Sequence, residues 1–386
     1  MPSAIRPPHH TTRLLPREES AAPSASNPFQ TYREKRFFGS LDGLRAVSIM
    51  GVIWLHTWIG TPQFAWLDRI PILRRGGFGV DIFFALSGFL ITTLLLREEE
   101  RFGSISLRSF YVRRALRIWP LYYTVLAGYV ILTLLTAHGE PRAAFFHYLP
   151  GFATFTYNWV LPLNTRNLPH FHFAWSLTSE EQFYVFWPLA LVLLGRTRAQ
   201  VLLVGLVCLR AIRDTELLRF ALPLDSFPDR VIATIQVPIC LGVLLGCTLH
   251  QERRFRKLYR ILGNRWSAPI ALGILAVTLI GSDSLWLWSQ WLVLPFLVGA
   301  CVVREDNGLA TVLRMRALSM IGVVSYGMYL FNPLLIGVAR SGLARAGVRY
   351  PLLVFPFAAG LTFLAASTSY RYFEGRFHRL KERWTR

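Results

Sequence analysis

The chain has 386 residues, 53% of them hydrophobic and 14% aromatic, and a formal net charge of +20. Apolar runs of about 17 to 22 residues recur along it, the length that crosses a bilayer, which excludes an ordinary soluble domain. The basic residues lie between these runs rather than on a separate basic domain, so membrane topology accounts for the charge and no nucleic-acid partner is expected.

The first 36 residues mix Pro, Ser, Ala, Thr and Arg without periodicity and are predicted to be a disordered cytoplasmic tail. His9 and His10 in that tail are read as solvated rather than as metal ligands. The predicted fold is all-α, a polytopic membrane helix bundle of about ten spans. These are placed at 41–60, 78–96, 119–137, 181–195, 199–212, 231–249, 268–282, 285–303, 317–338 and 350–370, and residues 381–386 form a short cytoplasmic tail. With the N-terminus inside, most of the 42 Lys and Arg fall on the cytoplasmic side, in line with the positive-inside rule. The longest outward connection, 138–180, is too aromatic for a polar loop and is expected to fold over or dip into the outer face. No internal repeat of the kind found in inverted-repeat transporters is present. Cys208, Cys240, Cys247 and Cys301 lack metal or disulfide spacing and are expected to be buried small side chains.

The first span, "LDGLRAVSIMGVIWLHTWIG", carries Asp42 and Arg45 near its start and His56 deep inside. Arg45 and His56 are eleven positions apart, about three helical turns and about 16 Å, so they project from nearly one face. An imidazole at that depth is either a functional group in a cavity or a hydrogen bond joining two helices. In the second span Ser87 and Gly88 permit close helix packing, while Asp81 either orients a cation or is a helix N-terminal carboxylate.

Before the third span, "FYVRRALRIWP" presents Arg113, Arg114 and Arg117, whose spacing of three or four places them on neighbouring positions of a helix. Forked guanidiniums suit phosphate oxygens; topogenic charge is the plainer reading. "WSLTSEEQFYVFWP" places Glu180, Glu181 and Gln182 where the chain re-enters the membrane. The carboxylates can accept a proton, anchor a cation or serve a helix start. The ninth span holds Ser325, Tyr326, Tyr329 and Asn332, and Glu374 at the inner edge of the last span is expected to pair with an arginine.

Taken in order, "LDGLRAVSIMGVIWLH", "GVDIFFALSGFLIT", "FYVRRALRIWP", "WSLTSEEQFYVFWP", "VSYGMYL" and "YRYFEGRF" resemble the acyltransferase-3 family of integral membrane acyltransferases over about residues 36 to 380. This delimits an expected membrane acyltransferase domain at 37–380. The family's Arg-x10-His motif falls on Arg45 and His56, its Arg-x-x-Arg motif on Arg114 and Arg117, and its Glu-Glu-Gln-Phe-Tyr motif on Glu180 to Tyr184. The resemblance implies transfer of an acyl group, commonly acetyl, from cytoplasmic acyl-CoA to a hydroxyl of a carbohydrate or other acceptor, often on the far side of the membrane. It implies acyl-CoA as a co-substrate without a resident cofactor or metal, and multi-pass residence in a bacterial inner (plasma) membrane with both termini cytoplasmic.

On this reading His56 is a general base, Arg45 a donor-holding or partner-holding cation, and Glu180 or Glu181 the group that orients the acceptor or the His56 ring. Arg113, Arg114 and Arg117 form the CoA dock, supported by Asp42, Asp81, Tyr184, Tyr326 and Glu374. Two departures stand out. Phe331, Asn332 and Pro333 occupy the place where many relatives have Trp, His and Pro, so no histidine role carries over there. Some relatives add an extracytoplasmic hydrolase-like domain after the last span, which is not expected in a sequence ending at Arg386. The competing class is a transporter or flippase for a lipid-linked glycan or an anion, which would use the same intramembrane charges without chemistry.

Overall fold

The computed structural model of the chain describes residues 27–35, 37–58, 70–163, 165, 168–215, 217, 222–281, 284–348 and 350–382. Its regular elements are all helical. The expected tail 1–36 is corrected in part: Pro28–Glu34 forms a helix, α1, while residues 1–26, with His9 and His10, lie outside the described residues. Asn27 caps α1 by accepting from the Phe29 amide at 3.1 Å, with Pro28 in the first turn. Phe29 and Tyr32, three apart, both pack on Phe255, and Arg33 pairs with Glu100 at 2.7 Å. An aromatic pair on one helical face is what holds this short segment to the bundle.

The bundle follows in chain order: α2 (Gly39–Trp58), α3 (Phe78–Phe102), α4 (Leu107–Thr136) and α5 (Gly139–Ala153), then α6 (Trp175–Asp214), α7 (Phe227–Ala233), α8 (Val237–His250) and α9 (Glu252–Leu262). It continues with α10 (Ser267–Thr278), α11 (Ser284–Val303), α12 (Arg316–Val323), α13 (Ser325–Arg345) and α14 (Val354–Ser369), a π-helical turn at Tyr370–Glu374, and α15 (Gly375–Glu382). Among the described residues four helices are long and apolar enough to cross a membrane, and four bent pairs raise this to eight.

The expectation of about ten differs from eight for two local reasons. Val354–Ser369 has only 16 residues. The 40-residue α6 is interrupted at Gly195, whose φ of 74° and ψ of 167° lie outside helical space. Residues 179–190 and 199–206 line the same apolar cavity, so the chain folds back at Gly195 and the expected spans 181–195 and 199–212 are the two arms of a hairpin.

Small residues set the closest packing. A Cβ added to Gly88 would lie 2.1 Å from the Ile239 carbonyl oxygen, and one added to Gly242 would lie 2.1 Å from that of Ala85, so α3 and α8 touch backbone to backbone. The described part of the 138–180 connection packs into an aromatic cluster. Phe145, Phe152, Tyr157 and Phe171 are fully buried with Tyr122 of α4, and Phe152 stacks on Tyr157 at 4.2 Å. Residues 164, 166 and 167 of it lie outside the described residues. Cys240, Cys247 and Cys301 are buried as expected, whereas Cys208 is exposed because it sits on the outward face of the second hairpin arm.

Candidate active site

A cavity of about 280 Å³ opens between α2, α3, α4, α6 and α13. Its polar lining is Arg45, Ser87, Arg114, Arg117, Ser176, Glu180, Tyr184, Ser325, Tyr326 and Tyr329; its apolar lining includes Val80, Phe83, Phe84, Leu90 and Leu94. The sequence motifs thus converge from five helices on one space.

The three arginines of α4 do not act alike. Arg113 turns to Glu98 at 2.9 Å and does not line the cavity. Arg114 lies over the Tyr184 ring at 5.1 Å and the Phe110 ring at 5.7 Å. Arg117 is exposed and makes no hydrogen bond or ion pair with any described residue. Arg45 reaches the same cavity while donating to Asp42 at 2.9 Å. Asp42 is buried in the first turn of α2, where a carboxylate suits the helix N-terminus and tethers Arg45 one turn later.

The two glutamates also separate. Glu180 faces the cavity and accepts from the Ser87 hydroxyl at 2.7 Å; Ser87 also meets the Tyr184 hydroxyl at 2.8 Å. Glu181, the next residue, turns away and accepts from the Trp119 indole at 3.0 Å, leaving its Oε1 without a partner among the described residues. Tyr326 lines the cavity and donates to the Ile118 carbonyl at 2.7 Å. Glu374 is buried in the π-helical turn, accepts from Ser369 at 3.1 Å and lies within electrostatic reach of Arg117, so the expected direct ion pair is replaced by a hydroxyl contact. Asp81 belongs elsewhere: it sits in the first turn of α3 within reach of Arg210, away from the cavity lining.

His56 lies beyond the cavity, eleven residues from Arg45 on α2. Its Nδ1 meets Asn332 Oδ1 at 2.6 Å, so neither Glu180 nor Glu181 is the ring's partner. Tyr329 bridges the two regions: its hydroxyl meets Ser176 Oγ at 2.6 Å and donates to the Phe173 carbonyl at 2.8 Å. Tyr329 and Asn332 are three residues apart in α13, so the cavity wall ends about 5 Å along the axis from the partner of His56. Sequence reading singled out Ser87, Tyr329 and Asn332 without these roles. Only the Asn-Pro pair at 332 and 333 carried a local signal, because a proline inside a helix removes a backbone donor. Among the described residues no cluster of three His, Cys, Asp or Glu is placed to hold a metal ion.

This architecture is that of an integral membrane protein with a charged cavity inside a helix bundle. The family model described as an acyltransferase domain matches residues 38–371, and the chain belongs to the acyltransferase-3 family. Among curated relatives, a Staphylococcus aureus (strain COL) protein provisionally named an O-acetyltransferase is 27% identical over 369 residues, 91% of this chain and 59% of the relative. A Listeria monocytogenes protein named a peptidoglycan O-acetyltransferase is 27% identical over 370 residues, 89% of this chain and 56% of the relative. A Bacillus subtilis protein provisionally named a peptidoglycan O-acetyltransferase is 28% identical over 330 residues, covering 77% and 48%. The chain therefore spans roughly half to three-fifths of the length of these relatives. No solved structure matches it.

Proposed function

We propose that this protein is a membrane O-acyltransferase that moves an acetyl or other short acyl group from acyl-CoA to a hydroxyl of a carbohydrate. The observation that carries this reading is one cavity that runs from the Arg45, Arg114 and Arg117 guanidiniums to Tyr329, one helical turn before Asn332, the partner of His56. The CoA phosphates bind at the arginines, where guanidinium forks match phosphate oxygens. The slender thioester arm runs along Leu94, Leu90 and Phe83 toward Ser176 and Tyr329. The nucleotide itself stays outside the bundle, because burying its charges in hydrocarbon is prohibitive.

In the reaction the acceptor oxygen attacks the thioester carbonyl carbon while His56 takes the hydroxyl proton. The C–S bond then breaks, and the proton leaves on the CoA thiol. Glu180, held by Ser87, balances the cluster of positive charge. The carbohydrate acceptor is supported by the names of the Listeria and Bacillus relatives. By charge distribution the arginine end faces the cytoplasm of a bacterial inner membrane, with both chain termini on that side, and the acceptor is reached from the opposite face.

The test is release of free CoA thiol by purified protein given acetyl-CoA and a soluble carbohydrate acceptor. Wild type should turn over, and His56→Ala should lose roughly 10²- to 10⁴-fold in kcat. A transporter predicts no thiol release at all, and near-normal turnover of His56→Ala would remove the base assignment. Vesicles of one orientation address sidedness: with acyl-CoA confined to the arginine face, an impermeant acceptor should be modified only from the opposite face.

A further inference from the structure

We infer that Pro333 and Asn332 together fix the tautomer of His56, making Asn332 a positioning residue that leaves Nε2 as the ring's proton-accepting nitrogen. The inference rests on His56 being the base.

The argument begins in the backbone of α13. In an α-helix the amide of residue 333 would donate to the carbonyl of residue 329. Position 333 is proline, inside the helix Ser325–Arg345, so that donor does not exist and the Tyr329 carbonyl is left without its helical partner. A buried carbonyl needs a hydrogen bond. Asn332 supplies it: its Nδ2 donates to the Tyr329 oxygen at 2.6 Å, and the residue is fully buried.

That bond decides which way the amide points. Exchanging the oxygen and nitrogen of Asn332 would set two acceptors against each other at Tyr329, so the arrangement with Oδ1 facing His56 is held by the helix itself. Oδ1 is an acceptor only. At 2.6 Å it requires a proton on His56 Nδ1, and in the neutral ring the lone pair then resides on Nε2. A proline that breaks one helical hydrogen bond is thereby read out, two side chains away, as the choice of basic nitrogen. Arg340 donates to the Thr57 carbonyl at 2.8 Å and Tyr329 is itself anchored on Ser176 and Phe173, so α2 and α13 are fastened on both sides of the contact.

The experiment uses the full chain in detergent, labelled with ¹⁵N-histidine, with His56→Gln identifying the resonances of that ring. Wild type should show a protonated Nδ1 and an unprotonated Nε2. Asn332→Leu removes the acceptor and should yield the other tautomer or a mixture, with kcat falling roughly 10- to 100-fold and the KM for acetyl-CoA unchanged, since the donor site is untouched. Asn332→Asp retains an acceptor toward Nδ1 and should keep that nitrogen protonated, but it sets an acceptor against the Tyr329 carbonyl and should recover only part of the lost turnover. Pro333→Ala returns the helical amide to the Tyr329 carbonyl, frees Nδ2 from that duty and should broaden the tautomer distribution. A wild-type ring protonated at Nε2, or an Asn332→Leu ring with unchanged tautomer, overturns the inference. Because the spectra need no turnover, an active His56→Ala would defeat the base assignment while leaving the tautomer result to be read separately.

Discussion

Two clusters of arginine are built into this bundle, and they are built in opposite ways. Arg210 and Arg213 each have a direct carboxylate partner. Arg213 grips Asp229 with two contacts at 2.7 and 3.2 Å, Arg210 pairs with Asp214 at 3.0 Å and donates to the Ala233 carbonyl at 2.6 Å, and the Trp288 indole reaches Asp214 at 3.3 Å. Asp81 lies in the same neighbourhood. Around the cavity, by contrast, Arg117 makes no direct ion pair with a described residue and has Glu374 only within electrostatic reach, Arg114 rests on aromatic faces with Glu180 nearby, and Arg45 alone makes a direct ion pair, with Asp42 of its own helix. Cations beside a cavity without direct ion pairs are available to a further anion, and under the proposed function that anion is the phosphate of the acyl donor.

This contrast can be broken first at the closed cluster, where the largest effect on the fold is expected. Arg213→Ala leaves Asp229 with the Asp225 amide as its remaining hydrogen bond and should destabilise the protein by about 2 kcal/mol, read as a lowered midpoint in thermal unfolding of the purified protein. The donor KM of whatever remains folded should not move. A normal unfolding midpoint would show that the cluster is not the closed structural unit described.

At the open cluster the pattern inverts. Arg117→Lys keeps the charge but loses the fork, and should raise the KM for acetyl-CoA roughly tenfold, about 1.4 kcal/mol, with no change in thermal midpoint. Arg113→Lys is the internal control, because Arg113 is committed to Glu98 and should leave donor kinetics alone. The smallest effect is expected from Ser87→Ala. It removes one hydrogen bond to Glu180 and should cost about 1 kcal/mol in kcat/KM, a factor of about 5, measured with saturating acceptor.

Much of this site was legible before any coordinates. The eleven-residue interval from Arg45 to His56 placed both on one helix, and the Arg-x-x-Arg and Glu-Glu segments pointed to the elements that line the cavity. Spacing alone could not divide neighbours. Arg113 differs from Arg114, and Glu180 from Glu181, only by which face of a helix meets which other helix, and that is settled by packing across the bundle. The count of spans was blurred for a related reason. Gly195 looks like one small residue in a long apolar stretch, yet its positive φ turns one helix into two arms. The short helix Pro28–Glu34 differs from the expected tail because two aromatics in a Pro- and Ser-rich stretch carry no periodic signal until Phe255 is there to receive them. The partner of His56 lay hidden in the plainest local rule of all, that a proline inside a helix orphans the carbonyl four residues back.

The central claim, that the unmatched arginines are a donor phosphate site, is tested most directly by calorimetric titration of acetyl-CoA into the purified full-length protein. The account predicts that Arg114→Lys combined with Arg117→Lys weakens binding at least tenfold, while Arg213→Lys and Arg113→Lys bind as wild type does. Equal affinity across all four proteins, or a loss confined to Arg113→Lys, would contradict it.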